Sequence, residues 1–263
     1  IRHDGGGLRM GSLTRLEDIA HDPGVKSRYA ALAEAAARTA SPHIREMGTI
    51  GGNLGQDIRC WYYRNPKNRF PCLRKGGGRC YAIEGDNRYH SIFGSSTKGG
   101  CLAVHPSDMA PALISLHGRI KTSKRTLDAE KFFTVDVGKT TVLDPDEIVL
   151  EIYVPRPPEG SRSGFIKFAL RKTIDFPIVN CGAMVSKADG GEVSRVRICL
   201  NAVYLTPYRA KKAEEALLGK RISEDLAEKA GEAAVKGAKP IRYNRYMVQI
   251  ARTLVKRTIL KCT

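Results

Sequence analysis

Four of the seven cysteines in this 263-residue chain, Cys60, Cys72, Cys80 and Cys101, fall within 42 residues, spaced C-x11-C-x7-C-x20-C. Thiolates are soft ligands that hold zinc or iron–sulfur clusters. The short Cys-x-x-Cys pairs common in zinc modules are missing, so the spacing leaves both metals open. His90 and His105 are near enough in sequence to be substitute ligands, and free loop thiols are the plain alternative. Cys181, Cys199 and Cys262 have no near neighbours of their kind. Just upstream stands Thr49-Ile50-Gly51-Gly52-Asn53. Its two glycines allow positive φ and close approach of a ligand to the backbone. Exposed amides there would form an anion nest suited to a pyrophosphate. Taken alone, the motif is a weak signal and reads more readily as a tight turn between a helix and a strand.

Composition narrows the setting. Hydrophobic residues make up 42% and charged residues 27% of the chain, ordinary for a globular protein with a sizeable core. No run approaches the roughly 18 apolar residues of a membrane span. An odd cysteine count fits poorly with a disulfide framework, and clustered thiols point to a reducing, cytoplasmic location. The start, Ile1-Arg2-His3-Asp4-Gly5, has neither a signal-peptide pattern nor an initiating Met, which predicts truncation or processing there. A net charge of +17 suits an acidic partner: nucleic acid, anionic lipid or an acidic protein face. Basic residues concentrate at 59–79 and 242–261 without forming the solid block expected of a nucleic-acid tail.

The elements that must position these residues follow from pattern. Residues 8–13 read as a short strand, and Thr14 with Glu17 has capping-box spacing. Apolar periodicity predicts a helix over 25–40. Residues 54–100 lack periodicity, and an unstructured stretch of that length inside a domain is usually functional or disordered; a metal on its cysteines would order it. Ser107 can cap a helix over 108–117 that Gly118 ends. A strand over 148–154 precedes the linker at 155–160. Strands over 165–170, 178–187 and 193–205, then helices over 208–218, 223–236 and 244–260, predict an α+β C-terminal unit with a three-stranded antiparallel sheet and three helices.

Here a resemblance becomes specific. Ser41-Pro42-His43-Ile44-Arg45-Glu46-Met47-Gly48-Thr49-Ile50-Gly51-Gly52-Asn53 resembles the second FAD signature of the molybdenum hydroxylase flavoproteins. That family includes the FAD domain of xanthine dehydrogenase and the medium subunit of aerobic CO dehydrogenase. Leu8-Arg9-Met10-Gly11-Ser12-Leu13-Thr14, Pro106-Ser107-Asp108-Met109-Ala110-Pro111-Ala112-Leu113, Pro145-Asp146-Glu147-Ile148-Val149-Leu150-Glu151-Ile152 and Phe168-Ala169-Leu170-Arg171-Lys172 agree in order. The family's first, AGGT-type phosphate loop has no counterpart here; Asp4-Gly5-Gly6-Gly7 aligns with a later hairpin. The 53 residues between Asn53 and Ser107 exceed the usual short connection. They resemble the [4Fe–4S]-bearing loop of the 4-hydroxybenzoyl-CoA reductase β subunit.

The resemblance implies an α+β chain: an FAD-binding domain of the molybdopterin dehydrogenase type over 1–156, with an iron–sulfur insertion at 54–106, and a C-terminal domain over 161–263. It implies FAD phosphates on the backbone of Thr49, Ile50, Gly51, Gly52 and Asn53, and a Ser107–Asp108 step whose carboxylate holds a hydroxyl-rich part of the cofactor. It puts Val149 against the flavin region and Lys167 near the electron-rich edge of the ring, where a cation favours reduced, anionic flavin. It makes Cys60, Cys72, Cys80 and Cys101 ligands of a [4Fe–4S] cluster. The implied function is electron transfer within a complex whose large subunit holds molybdopterin and whose small subunit holds [2Fe–2S] clusters, fed by a ferredoxin-like carrier or NAD(P)H. Two rivals stand beside it: an NAD(P)H-linked flavoprotein with a structural cluster, and a basic zinc protein that binds nucleic acid.

Overall fold

Alternating burial organises the first strands. In the computed structural model, which describes residues 1–263, β1 (Arg2–Asp4) and β2 (Gly7–Gly11) form a hairpin. Leu8 and Met10 of β2 are buried while Arg9 and Gly11 are exposed, the period of two that a half-buried strand requires. Short helices follow: α1 (Leu16–His21), α2 (Pro23–Arg28), α3 (Ala30–Ala37), α4 (Pro42–Met47) and α5 (Ile50–Gly55). Asp22, Ser41 and Thr49 cap α2, α4 and α5 by accepting from the amides of Val25, Ile44 and Gly52. Pro23 and Pro42 sit at helix starts, where their missing N–H costs nothing.

Two local expectations are corrected here. The single helix expected over 25–40 breaks at Tyr29, whose φ of −128° and ψ of 46° leave the helical region; its ring is buried in the core. The Thr14–Glu17 capping box does not form, because α1 starts at Leu16 with Arg15 as its cap. Glu17 instead accepts from Arg45 at 2.8 Å.

Next come α6 (Trp61–Arg64), a 3-10 turn at Leu73–Lys75, α7 (Met109–Ser115), β3 (Arg119–Thr122), β4 (Thr126–Asp128), a second 3-10 turn at Ala129–Lys131 and β5 (Val149–Pro155). The first sheet has the order β1-β2-β5-β3-β4, antiparallel throughout. The 54–100 stretch is less bare than its composition suggests. Bridges Arg59↔Val104 and Cys72↔Arg79 pin it as a folded loop.

The remaining elements are β6 (Arg162–Phe168), β7 (Val179–Lys187), β8 (Val193–Asn201), β9 (Tyr208–Arg209), α8 (Lys211–Leu217), α9 (Glu224–Val235) and α10 (Arg245–Lys261). The C-terminal sheet, β6-β7-β8-β9, has four strands rather than three. Tyr208 and Arg209, expected at the head of a helix, pair with Leu200 and Cys199. Arg209 is held extended by ion pairs to Glu130 at 3.1 Å and Glu214 at 2.9 Å. β7 is buried along nearly its whole length because α10 packs against it as well as α7. Gly182 permits the α7 contact: a Cβ there would lie 2.7 Å from Pro111 O. No helix is long and apolar enough to cross a membrane. The fold is α+β, with one core between the first sheet and α1–α3 and another between β7, β8 and α8–α10.

Candidate cofactor cleft and cysteine loop

The Thr49–Asn53 motif begins α5 and is not a positive-φ turn. Four of its five amides are already used. Ile50 N donates to Thr14 O, Gly51 N to Ser12 O, Gly52 N to Thr49 Oγ1 and Asn53 N to Thr49 O. The free-amide nest expected from two adjacent glycines is therefore absent. What Gly51 supplies is close packing, since a Cβ would sit 2.8 Å from the backbone oxygen of Ser12.

α5 forms one wall of a cleft of about 320 Å3, within the size range of small-ligand sites. Thr49, Gly52, Asn53 and Gln56 line it from the α5 segment, Pro106 and Asp108 from the α7 side, and Thr39, Ala40, Ile174, Asp175 and Phe176 from two facing loops. Sequence reading assigns no role to Ala40, Gln56 or Ile174. Ala40 and Ile174 both have left-handed φ, 49° and 63°, and Ile174 N donates to Ala40 O at 3.1 Å. A β-branched residue held there is strained, as residues around ligand sites often are, and no sequence signal announces it.

Of the other predicted residues, Asp108 is the one that joins Thr49, Gly52 and Asn53 in the cleft wall, and its carboxylate is engaged from behind. Lys167 Nζ donates to Asp108 Oδ2 at 2.7 Å and to Arg38 O at 3.0 Å, and Asn180 Nδ2 donates to Asp108 Oδ1 at 2.7 Å. Burial pushes the Asp108 carboxyl up, while the Lys167 ammonium opposes the shift. Lys167 is thus inside the protein, and Val149 packs against the first core rather than lining the cleft. Ser107 is buried; its hydroxyl donates to Asn53 Oδ1 at 2.6 Å and accepts from Ala110 N at 2.9 Å, tying α5 to α7.

Cys60, Cys72, Cys80 and Cys101 come together around one enclosed space, with Tyr62, Tyr63, Leu73, Tyr81, Ala82 and Ala103 as its apolar walls. Every cysteine in the chain is a free thiol. No group of three or more His, Cys, Asp or Glu side chains converges to hold a metal ion, and the space that the four cysteines line is small, about 10 Å3. Burial pushes the Cys60 thiol up to about 12 and raises Cys80 as well. Backbone amides of Tyr62 and Tyr63 oppose this at Cys60, and those of Ala82 and Leu102 at Cys80. His90 Nε2 lies 3.2 Å from Cys60 Sγ. His105 turns elsewhere, to Asn201 at 3.2 Å and the edge of Phe133.

A groove of about 200 Å3 runs over Cys60, lined by Arg59, Trp61, Arg64, Tyr89, His90 and Phe176. The Arg59 and Arg64 guanidinium groups lie 5.6 and 5.1 Å from the Phe176 ring centre. Phe176 belongs to this groove and to the α5 cleft alike. A wider cleft of about 460 Å3 holds Arg119, Arg156, Arg195 and Arg197 but none of the predicted site residues.

Comparison with known proteins places the chain in a family. Residues 1–157 match the FAD binding domain in molybdopterin dehydrogenase, and residues 165–262 match the CO dehydrogenase flavoprotein C-terminal domain. The aldehyde oxidoreductase FAD-binding subunit PaoB of Escherichia coli is 33% identical over 81% of this chain and 67% of its own length. The carbon monoxide dehydrogenase medium chain of Hydrogenophaga pseudoflava is 28% identical over 98% of this chain and 76% of its own. The solved carbon monoxide dehydrogenase from Hydrogenophaga pseudoflava superposes with a TM-score of 0.74 at 26% identity, covering 100% of this chain and 77% of that one. Two matching domain patterns in order, a close relative and a shared fold make this chain a member of the FAD-binding medium subunits of the molybdenum hydroxylase family, and so an FAD-containing oxidoreductase subunit.

Proposed function

We propose that this chain relays electrons between FAD in the α5 cleft and a [4Fe–4S] cluster on Cys60, Cys72, Cys80 and Cys101, within a complex of 4-hydroxybenzoyl-CoA reductase type. Phe176 is the observation that carries the proposal, because one aromatic side chain lines both the cleft and the groove over Cys60. When bound, the flavin and the cluster supply the redox chemistry, and the protein supplies position and electrostatics. Four thiols gathered in an otherwise apolar setting are a ligand set that a [4Fe–4S] cluster uses, and the resemblance implies a cluster rather than zinc. Amides directed at Cys60 and Cys80 would stabilise their thiolates once ligated.

Each predicted residue then has a task within an FAD-binding half at 1–156 or a C-terminal half at 161–263. Thr49, Gly52 and Asn53 offer cleft surface to the phosphate-bearing part of FAD, while Ile50 and Gly51 seat α5 against Thr14 and Ser12. Ser107 fixes Asn53, and Asp108 faces the cleft with Lys167 acting through it. The resemblance gives Val149 to the flavin region, and its side chain packs against the first core. The partners are a molybdopterin-holding large subunit and a small subunit with [2Fe–2S] clusters.

An external one-electron carrier of ferredoxin type is the partner for the outer groove. Arg59 and Arg64 give the groove its charge, and Trp61 and Tyr89 give it aromatic surface; no carboxylate lines it. Steering by such a face predicts carrier binding that weakens with salt. The direct test is Cys72→Ser in the assembled complex. The variant should keep its FAD, lose about four iron and about four sulfide per chain, and lose electron exchange with the external carrier. Exchange that survives loss of the cluster would overturn the assignment of the cluster as the port.

A further inference from the structure

The four thiols do not stand in equivalent places. Cys60 alone among them lines both the enclosed cysteine void and the groove that Phe176 shares with the cofactor cleft. Cys60 therefore stands between the proposed cluster and the groove whose Phe176 also lines the cofactor cleft. At that sulfur stands His90, fully buried, with Nε2 at 3.2 Å and Nδ1 without any partner.

His90 is held there by its backbone, not by its ring. Its amide donates to Asn87 O at 3.2 Å, and its carbonyl accepts from Asn244 Nδ2 at 3.0 Å. Asn244 also donates to Ser91 O, and Asn87 Oδ1 accepts from Tyr243 N at 2.9 Å. The start of α10 thus fixes where the imidazole points. A cysteine that ligates iron is a thiolate, which accepts a hydrogen bond and has no proton to give. A neutral imidazole carries one N–H, and the nitrogen that faces the sulfur must be the one that bears it.

We infer that His90 is a positioning residue for the cluster: its Nε2–H donates to the Cys60 sulfur, favours the more negatively charged reduced state and so sets the cluster's reduction potential. The inference rests on the proposed cluster. Hydrogen bonds to ligating sulfurs are among the levers that set iron–sulfur potentials, and partners of ligands are commonly what orient and tune a metal site. Cys60 already faces the amides of Tyr62 and Tyr63, so the side-chain donor acts on the sulfur nearest the Phe176 route.

His90→Leu and His90→Gln, made in the full chain within its complex, test this. Iron and sulfide are measured first, then the cluster's midpoint potential by a redox titration followed by electron paramagnetic resonance. With iron and sulfide retained, His90→Leu should move the potential to more negative values, and His90→Gln, which keeps an N–H donor, should restore much of the shift. A native potential in His90→Leu would overturn the inference and leave the cluster reading intact. Loss of iron in both variants would also overturn it, making His90 a ligand or a brace. Native complex with no iron and sulfide beyond those of the small subunit's [2Fe–2S] clusters would fail one step earlier, at the cluster itself.

Discussion

Asp108 and Lys167 meet at 2.7 Å with each side chain about 4% exposed, so neither charge has water to fall back on. Removing one member of such a pair strands the other in a medium that solvates it poorly. Lys167→Met should therefore lower stability by about 3–5 kcal/mol, read as a fall in the urea midpoint with an unchanged slope. An unchanged midpoint would mean that Asp108 is protonated in the native protein. The cysteines make a different prediction. With its thiol pushed up to about 12 by burial, metal-free Cys60 is protonated at neutral pH and slow to alkylate. Serine at Cys60, Cys80 or Cys101 should each remove iron and sulfide together, as at Cys72. Loss of iron from only one or two of the four variants would contradict a four-cysteine ligand set.

Among the elements, α5 and the β3–β5 corner carry separate tests. Gly51→Ala would place a Cβ 2.8 Å from Ser12 O, and a backbone oxygen cannot swing aside. The α5 start must then move, and FAD should bind about tenfold or more weakly, roughly 1.4 kcal/mol or above; fluorescence titration of the apoprotein would show it. Glu147 closes the β3–β5 corner by accepting from Thr122 Oγ1 and from Arg125 Nη2, the latter at 2.8 Å. These bonds hold its carboxyl at about 2, down from an ordinary 4.5. The stabilisation it gives is complete above about pH 4.5 and disappears as pH falls toward 2. Glu147→Gln should flatten the stability profile across that window; a parallel, merely offset profile would contradict the assignment. The strands were legible because burial imposes a period of two on β2 and a near-continuous apolar run on β7. The Arg209 strand and the seating of α5 were not legible, since partners distant in sequence settle them, Glu130 for Arg209 and Ser12 for Gly51.

Over the whole molecule, the two halves share more than a linker: Phe165, Met184 and Cys199 of the second sheet reach into the first core. Asp108 and Lys167 come from opposite halves as well. Family membership was legible in the Ser41–Asn53 signature and its flanks, and the cysteine set in its clustering. The cleft's far wall was not, because Ala40 and Ile174 owe their place to left-handed backbone that neither residue type favours. The net charge of +17 predicts that association with an acidic carrier slows steeply between low and physiological salt; a salt-independent rate would assign that charge to solubility alone. The central claim, one chain joining a flavin to a four-cysteine cluster, is tested most directly by visible absorption with flavin, iron, acid-labile sulfide and zinc measured on the purified complex and compared with its Cys72→Ser form. Native complex should exceed the variant by about four iron and about four sulfide per chain, with FAD equal in both; zinc in place of iron, or no difference in iron between the two, would contradict the claim.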